Sequence, residues 1–130
     1  MANGTIAFDT LQTSGQITGT AKSLDTDFVV SGSAKARVLY DQSNNTNKGS
    51  LNIGSITDTS TGLFTLNFSN NFNDAFYSTV GSGNQNRRFQ VDGTTLSEQT
   101  TGSVDCRITT ESTTLSDITT IGVNIHGDLA

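Results

Sequence analysis

One run limits the fold of this chain more than any other. In "GLFTLNF", Phe64, Leu66 and Phe68 alternate with Thr65 and Asn67. A period of two sends successive side chains to opposite sides of an extended strand, one side for a core and the other for water. Upstream lies "SLNIGSITDTSTG". There Leu51 and Ile53 alternate with Asn52, and Gly54 and Ser55 break the phase before Ile56. An isolated Gly inside a strand pattern marks a β-bulge. The two runs predict an antiparallel hairpin with its turn at residues 58–62 and one buried face.

The same period recurs along the chain. "AKARVLYDQ" places Ala36, Val38 and Tyr40 on one face and Arg37 and Leu39 on the other. "SVDCRIT" aligns Val104, Cys106 and Ile108, and "ITTIGVNIHGD" aligns Ile121, Val123 and Ile125 opposite Asn124 and His126. "YSTVGSG" and "RRFQVDG" flank the Gly-rich "GSGNQN" and read as a second hairpin. "QSNNTNKG" reads as a turn or loop. "SNNFNDAF" reads as a connection with a Phe at either end for the core. "GTIAFDTL" and "DFVVSG" add two short strand-like runs nearer the N-terminus, and "TLSEQT" is the one candidate for a helical turn. Roughly eight strands at this spacing fit a β-sandwich or a barrel, and an antiparallel β-sandwich is the fold expected.

Composition agrees. Of 130 residues, 32% are apolar and only 15% are charged, with 13 Gly and no Pro. The polar bulk is Thr, Ser, Asn and Gly, which suits pleated surfaces and tight turns rather than helices. This length predicts one domain. The first 32 residues are more polar than the rest and are expected to form an N-terminal arm, with the sandwich domain spanning residues 33–130.

Net charge is -5 and the seven cations are scattered, Arg87 and Arg88 being adjacent. Nucleic-acid binding needs clustered Lys and Arg, so it is not expected. No run approaches the ~20 apolar residues of a membrane helix, and "MANGTIAF" has no basic start or long apolar stretch of a secretory leader. The lone Cys106 lies on an apolar strand face and reads as a small core hydrophobe rather than a nucleophile. His126 is the only histidine, too few for a zinc site. Asp25 and Asp27 form a minimal pair without the ligand count of a calcium loop. No phosphate loop or nucleophile elbow is present. No catalytic residue, metal or cofactor is therefore expected.

The runs "KARVLY" at 35–40, "SLNIGSITDTSTGLFTLNF" at 50–68 and "DAFYSTV" at 74–80 resemble small virion proteins of tailed phages of marine cyanobacteria and other marine bacteria. The similarity is to the distal, knob-like domains of tail-fibre proteins and spans residues 33–130. It implies an all-β, jelly-roll-like sandwich, usually homotrimeric and exposed on the virion, with no catalytic site. Where that pattern has an aromatic after Lys-Ala, this chain has Arg37. On this resemblance the arm would dock on other capsid or tail proteins, and the virion would assemble in the host cytoplasm. Arg37, Tyr40, Tyr77, Asn84, Arg87 and Arg88 are the candidates for subunit or receptor contact, with a host-surface glycan as the candidate receptor. A carbohydrate-binding adhesin module is the alternative.

Overall fold

The computed structural model describes residues 32–84, 86–93 and 98–130. Apart from Gly32, the expected arm, with its two strand-like runs and the Asp25–Asp27 pair, lies outside these residues, as does the first half of "TLSEQT"; the second half, Glu98–Thr100, is not helical, Gln99 making an antiparallel bridge to Val104. Among the described residues there are eight strands: β1 (Ala36–Asp41), β2 (Thr46–Leu51), β3 (Ile53–Ser60), β4 (Leu63–Phe68), β5 (Ser78–Gly83), β6 (Arg88–Val91), β7 (Ser103–Thr109) and β8 (Ile121–His126). They form two four-stranded sheets, β2-β1-β8-β5 and β3-β4-β7-β6. Every ladder is antiparallel. The first and last strands lie side by side in the middle of the first sheet.

The alternation read in the sequence sets the interior. Ala36, Val38, Tyr40, Ile121, Val123 and Ile125 line the inner face of the first sheet, and Phe64, Leu66, Phe68, Val104, Cys106 and Ile108 that of the second. All are buried, and burial of this much apolar surface is the main force joining the layers. The aromatic rings gather in two places. Tyr40 meets Phe64 at a centroid distance of 5.2 Å. Phe68, Phe72 and Tyr77 cluster at 4.5–5.6 Å. Such tilted and edge contacts suit the ring quadrupole.

The β3–β4 hairpin forms as expected, with the register shift at Gly54 between Ile53 and Ser55. Its turn is tighter than read. β3 continues to Ser60, leaving only Thr61 and Gly62 between the strands. Gly62 takes a left-handed φ of 68°, and a Cβ there would stand 2.6 Å from the Ile108 carbonyl oxygen. Only Gly fits both demands.

Three readings are corrected. "QSNNTNKG" is not all loop, because β2 begins at Thr46 and pairs with β1. Its side chains are nearly all polar and its pattern does not alternate apolar with polar, which hid the strand. Second, β5 and β6 do not form a hairpin. β5 joins β8 in the first sheet and β6 joins β7 in the second. The segment between them crosses from one layer to the other. Third, of the two Phe in "SNNFNDAF", Phe72 is buried but Phe76 is 93% exposed.

A single residue carries the chain across the layers between β2 and β3. Asn52 adopts a φ of 54°, a region that Asn visits more readily than most residues. Its Oδ1 accepts from the Asn70 backbone N–H (2.7 Å), and its Nδ2 donates to the Asn70 carbonyl (3.0 Å). The corner is thus pinned to the loop after β4.

Candidate functional site

The six candidate contact residues do not converge. Tyr40 and Tyr77 belong to the core, so neither offers a stacking face to solvent. Tyr40 is fully buried and donates its hydroxyl to Asn45 Oδ1 (2.9 Å). Tyr77 is 5% exposed, and its hydroxyl bonds the Ser103 (2.7 Å) and Thr100 (3.0 Å) carbonyls. Burial pushes both phenols up to about 12, with the Asp58, Asp117 and Asp41 carboxylates adding to the effect at Tyr40. Large amphipathic side chains of this kind are buried when their polar tip finds a partner, which alternation alone does not reveal for Tyr77.

The cationic candidates lie on opposite faces. Arg37 is exposed on the outer face of the first sheet, level with Leu51 and Asn124. Arg88 is exposed on β6, level with Thr109 in the second. Asn84 and Arg87 lie in the crossing segment between β5 and β6. The Asn84 N–H donates to the Thr120 carbonyl (3.1 Å), and its Nδ2 donates to Thr119 Oγ1 (3.0 Å). Arg87 lines an open groove of about 420 Å³ with Asn86, Thr110, Glu111 and Ser112. The groove is polar and shallow, and it brings together amide, guanidinium, hydroxyl and carboxylate groups.

Among the described residues, no group of three or more His, Cys, Asp or Glu is placed to hold a metal ion. Cys106 is fully buried, its thiol facing the Val104 carbonyl at 3.9 Å. Burial and the neighbouring Asp105 raise its pKa, so it stays a thiol. His126 is half-buried and level with Ser78. Asp41, whose carboxyl is held below the usual range by hydrogen bonds from Lys48 and Asn44, serves the β1–β2 hairpin. No helix among the described residues is long and apolar enough to cross a membrane.

The residues that sequence reasoning missed are apolar. Leu39, Leu51, Phe76 and Val80 stand exposed, three of them on the outer face of the first sheet and Phe76 just before β5. The alternation places Leu39 beside Arg37 on the outward side, and that was the available signal. The chain matches no family model, no curated protein and no solved structure.

Proposed function

We propose that this chain is a structural protein of a tailed-phage virion. It forms a surface-exposed, jelly-roll-like knob of tail-fibre or capsid-decoration type, trimeric and without catalytic activity. Residues 1–32 act as the arm that joins other capsid or tail proteins, and the knob takes part in host attachment. The reading rests on the resemblance carried by residues 33–130, above all by the run at 50–68.

One structural observation supports it. Sheet edges are normally guarded by charge or Pro. Of the four edge strands, β2 and β6 carry one charge each, Lys48 and Arg88, while β3 and β5, "IGSITDTS" and "STVGSG", hold a single charge between them, Asp58; none has a Pro. Edges left this plain suit a protein whose neighbours in an assembly cover them. Light scattering on the purified chain tests the trimer. A mass of three times the 13.7 kDa of one chain is expected, and a clean monomer overturns it. Removing residues 2–30 should leave a folded domain that no longer enters particles. Normal incorporation would refute the docking role.

A second reading is favoured by the groove at Asn86, Arg87, Thr110, Glu111 and Ser112. Its mixture of donors and acceptors suits a hydroxyl-rich ligand such as a host-surface glycan, the task of an adhesin module. Binding on a glycan array that E111Q abolishes would promote this reading. No binding to any glycan would remove it.

A further inference from the structure

Each side of the sandwich has one edge that carries a cation and one that does not. β2 and β3 are joined by Asn52 alone and share one side. β5 and β6 share the other, where Gly81 lies so close under the Phe89 ring that an added Cβ would stand 2.3 Å from its Cγ. Lys48 marks β2 and Arg88 marks β6, leaving β3 and β5 as the plain edges. The plain edges therefore lie on opposite sides and in opposite layers. Among the described residues, no backbone–backbone hydrogen bond from another segment reaches the open side of either strand. The two strands also point the same way. β1 and β5 both run antiparallel to β8. β3 ends where β1 ends, since Gln42, the residue after β1, donates from Nε2 to the Ser60 carbonyl and to Asp58 Oδ1 (both 3.3 Å).

We propose that β5 of one copy pairs in parallel with β3 of the next, joining the copies head to tail around an axis along the strands. The inference rests on the trimer proposed above and names its contact. The partner is a second copy because one chain carries both halves of the contact, one on each side. A two-fold axis would join like edges and leave the other plain edge of each copy open, whereas a head-to-tail ring uses both. Rotation about an axis along the strands keeps their direction, so the ladder is parallel and its hydrogen bonds are evenly spaced. The same rotation sets the solvent side of the first sheet level with the core side of the next copy's second sheet. Val80, 60% exposed on β5, then lies beside Ile53 and Ile56, which are only half-buried at the β3 edge. One contact thus satisfies open backbone groups and removes apolar side chains from water.

Light scattering and cross-linking of the full-length chain test it. V80K puts a charge on the plain β5 edge at an exposed position and should lower the mass threefold, to the 13.7 kDa of one chain. Q90K does the same on the β6 edge and should leave the mass at three chains. Both should keep the β-sheet circular dichroism of the folded domain. Chains carrying I56C and chains carrying V80C are then refolded together and treated with a short bis-maleimide, buried Cys106 staying silent. The mixture should give linked pairs of one I56C chain with one V80C chain, and either variant alone should give none. Links formed by either variant alone would mean that like edges meet, and would overturn the proposal. A trimer that survives V80K, or whose mixture gives no links, would overturn this contact and leave the trimer standing. A monomeric unmodified chain would overturn both.

Discussion

The two sheets share one core but turn different faces outward. On β3-β4-β7-β6 the outward residues bind one another. Thr65 donates to Asp105 (2.6 Å), Asn67 to Thr57 (3.2 Å), and Arg107 pairs with Asp92 (3.6 Å). Polar groups satisfied across strands make a finished surface that is stable against water. On β2-β1-β8-β5 the corresponding rows hold Leu51, Leu39 and Val80 with two glycines, Arg37, Asn124 and Ser82. That surface keeps apolar area in water and gains free energy when something covers it. The same alternation therefore yields a self-sufficient layer and an unfinished one.

Alkaline pH should erase both faces at once, by attacking the core they share. Tyr40 and Tyr77 titrate near 12 in the folded chain against an ordinary 10. The folded state holds those protons more tightly, so stability is fully present below pH 10 and falls as pH rises towards 12. Tyrosinate absorbance and loss of β-sheet circular dichroism should appear together. Tyrosine ionisation without unfolding would show that the phenols are not sealed.

Substitutions then separate the layers, from larger effect to smaller. At Gly81, on the inner side of β5, a Cβ would meet Phe89 Cγ at 2.3 Å. Gly81→Val should cost about 3 kcal/mol in urea unfolding, as overpacking at a tight contact does. Asp105→Ala strips the second sheet of its Thr65 partner and should cost about 2 kcal/mol, as for a buried polar group left unmade. Gly122→Ala and Leu39→Ser lie on the outer face of the first sheet. Each should change intrinsic stability by less than about 0.5 kcal/mol while altering how that face is covered. A large loss from Leu39→Ser would mean that the face is already structural, and a negligible loss from Asp105→Ala would mean that the polar network is ornament.

Much of the interior was legible in the residues. Phe64, Leu66 and Phe68 face inward as their spacing demands, as do the inward sets of β1, β7 and β8. The bulge at Gly54 was legible because a Gly breaks the phase there. Other features were not. β2 reads "TNKGSL", too polar to announce a strand. It is one because β1 offers it a free edge. Tyr77 and Phe76 are adjacent aromatics with opposite fates. Tyr77 is drawn inward by the Thr100 and Ser103 carbonyls, which lie 23 and 26 residues away. Arg37 and Arg88, alike on paper, ended on opposite outer faces, and the groove at Arg87 exists only because residues 110–112 fold up beside it.

What the sequence by itself determined is periodicity: an all-β chain, the strands with strong alternation, and which residues of each strand share a side. That information is local, since steric preference and side-chain spacing act within a few residues. The tertiary structure alone decided which strand joins which sheet, that β5 and β6 part into different layers, and that one outer face is polar and bonded while the other is left apolar. Those outcomes depend on contacts between residues far apart in the chain, and a pattern with a period of two does not specify its partner.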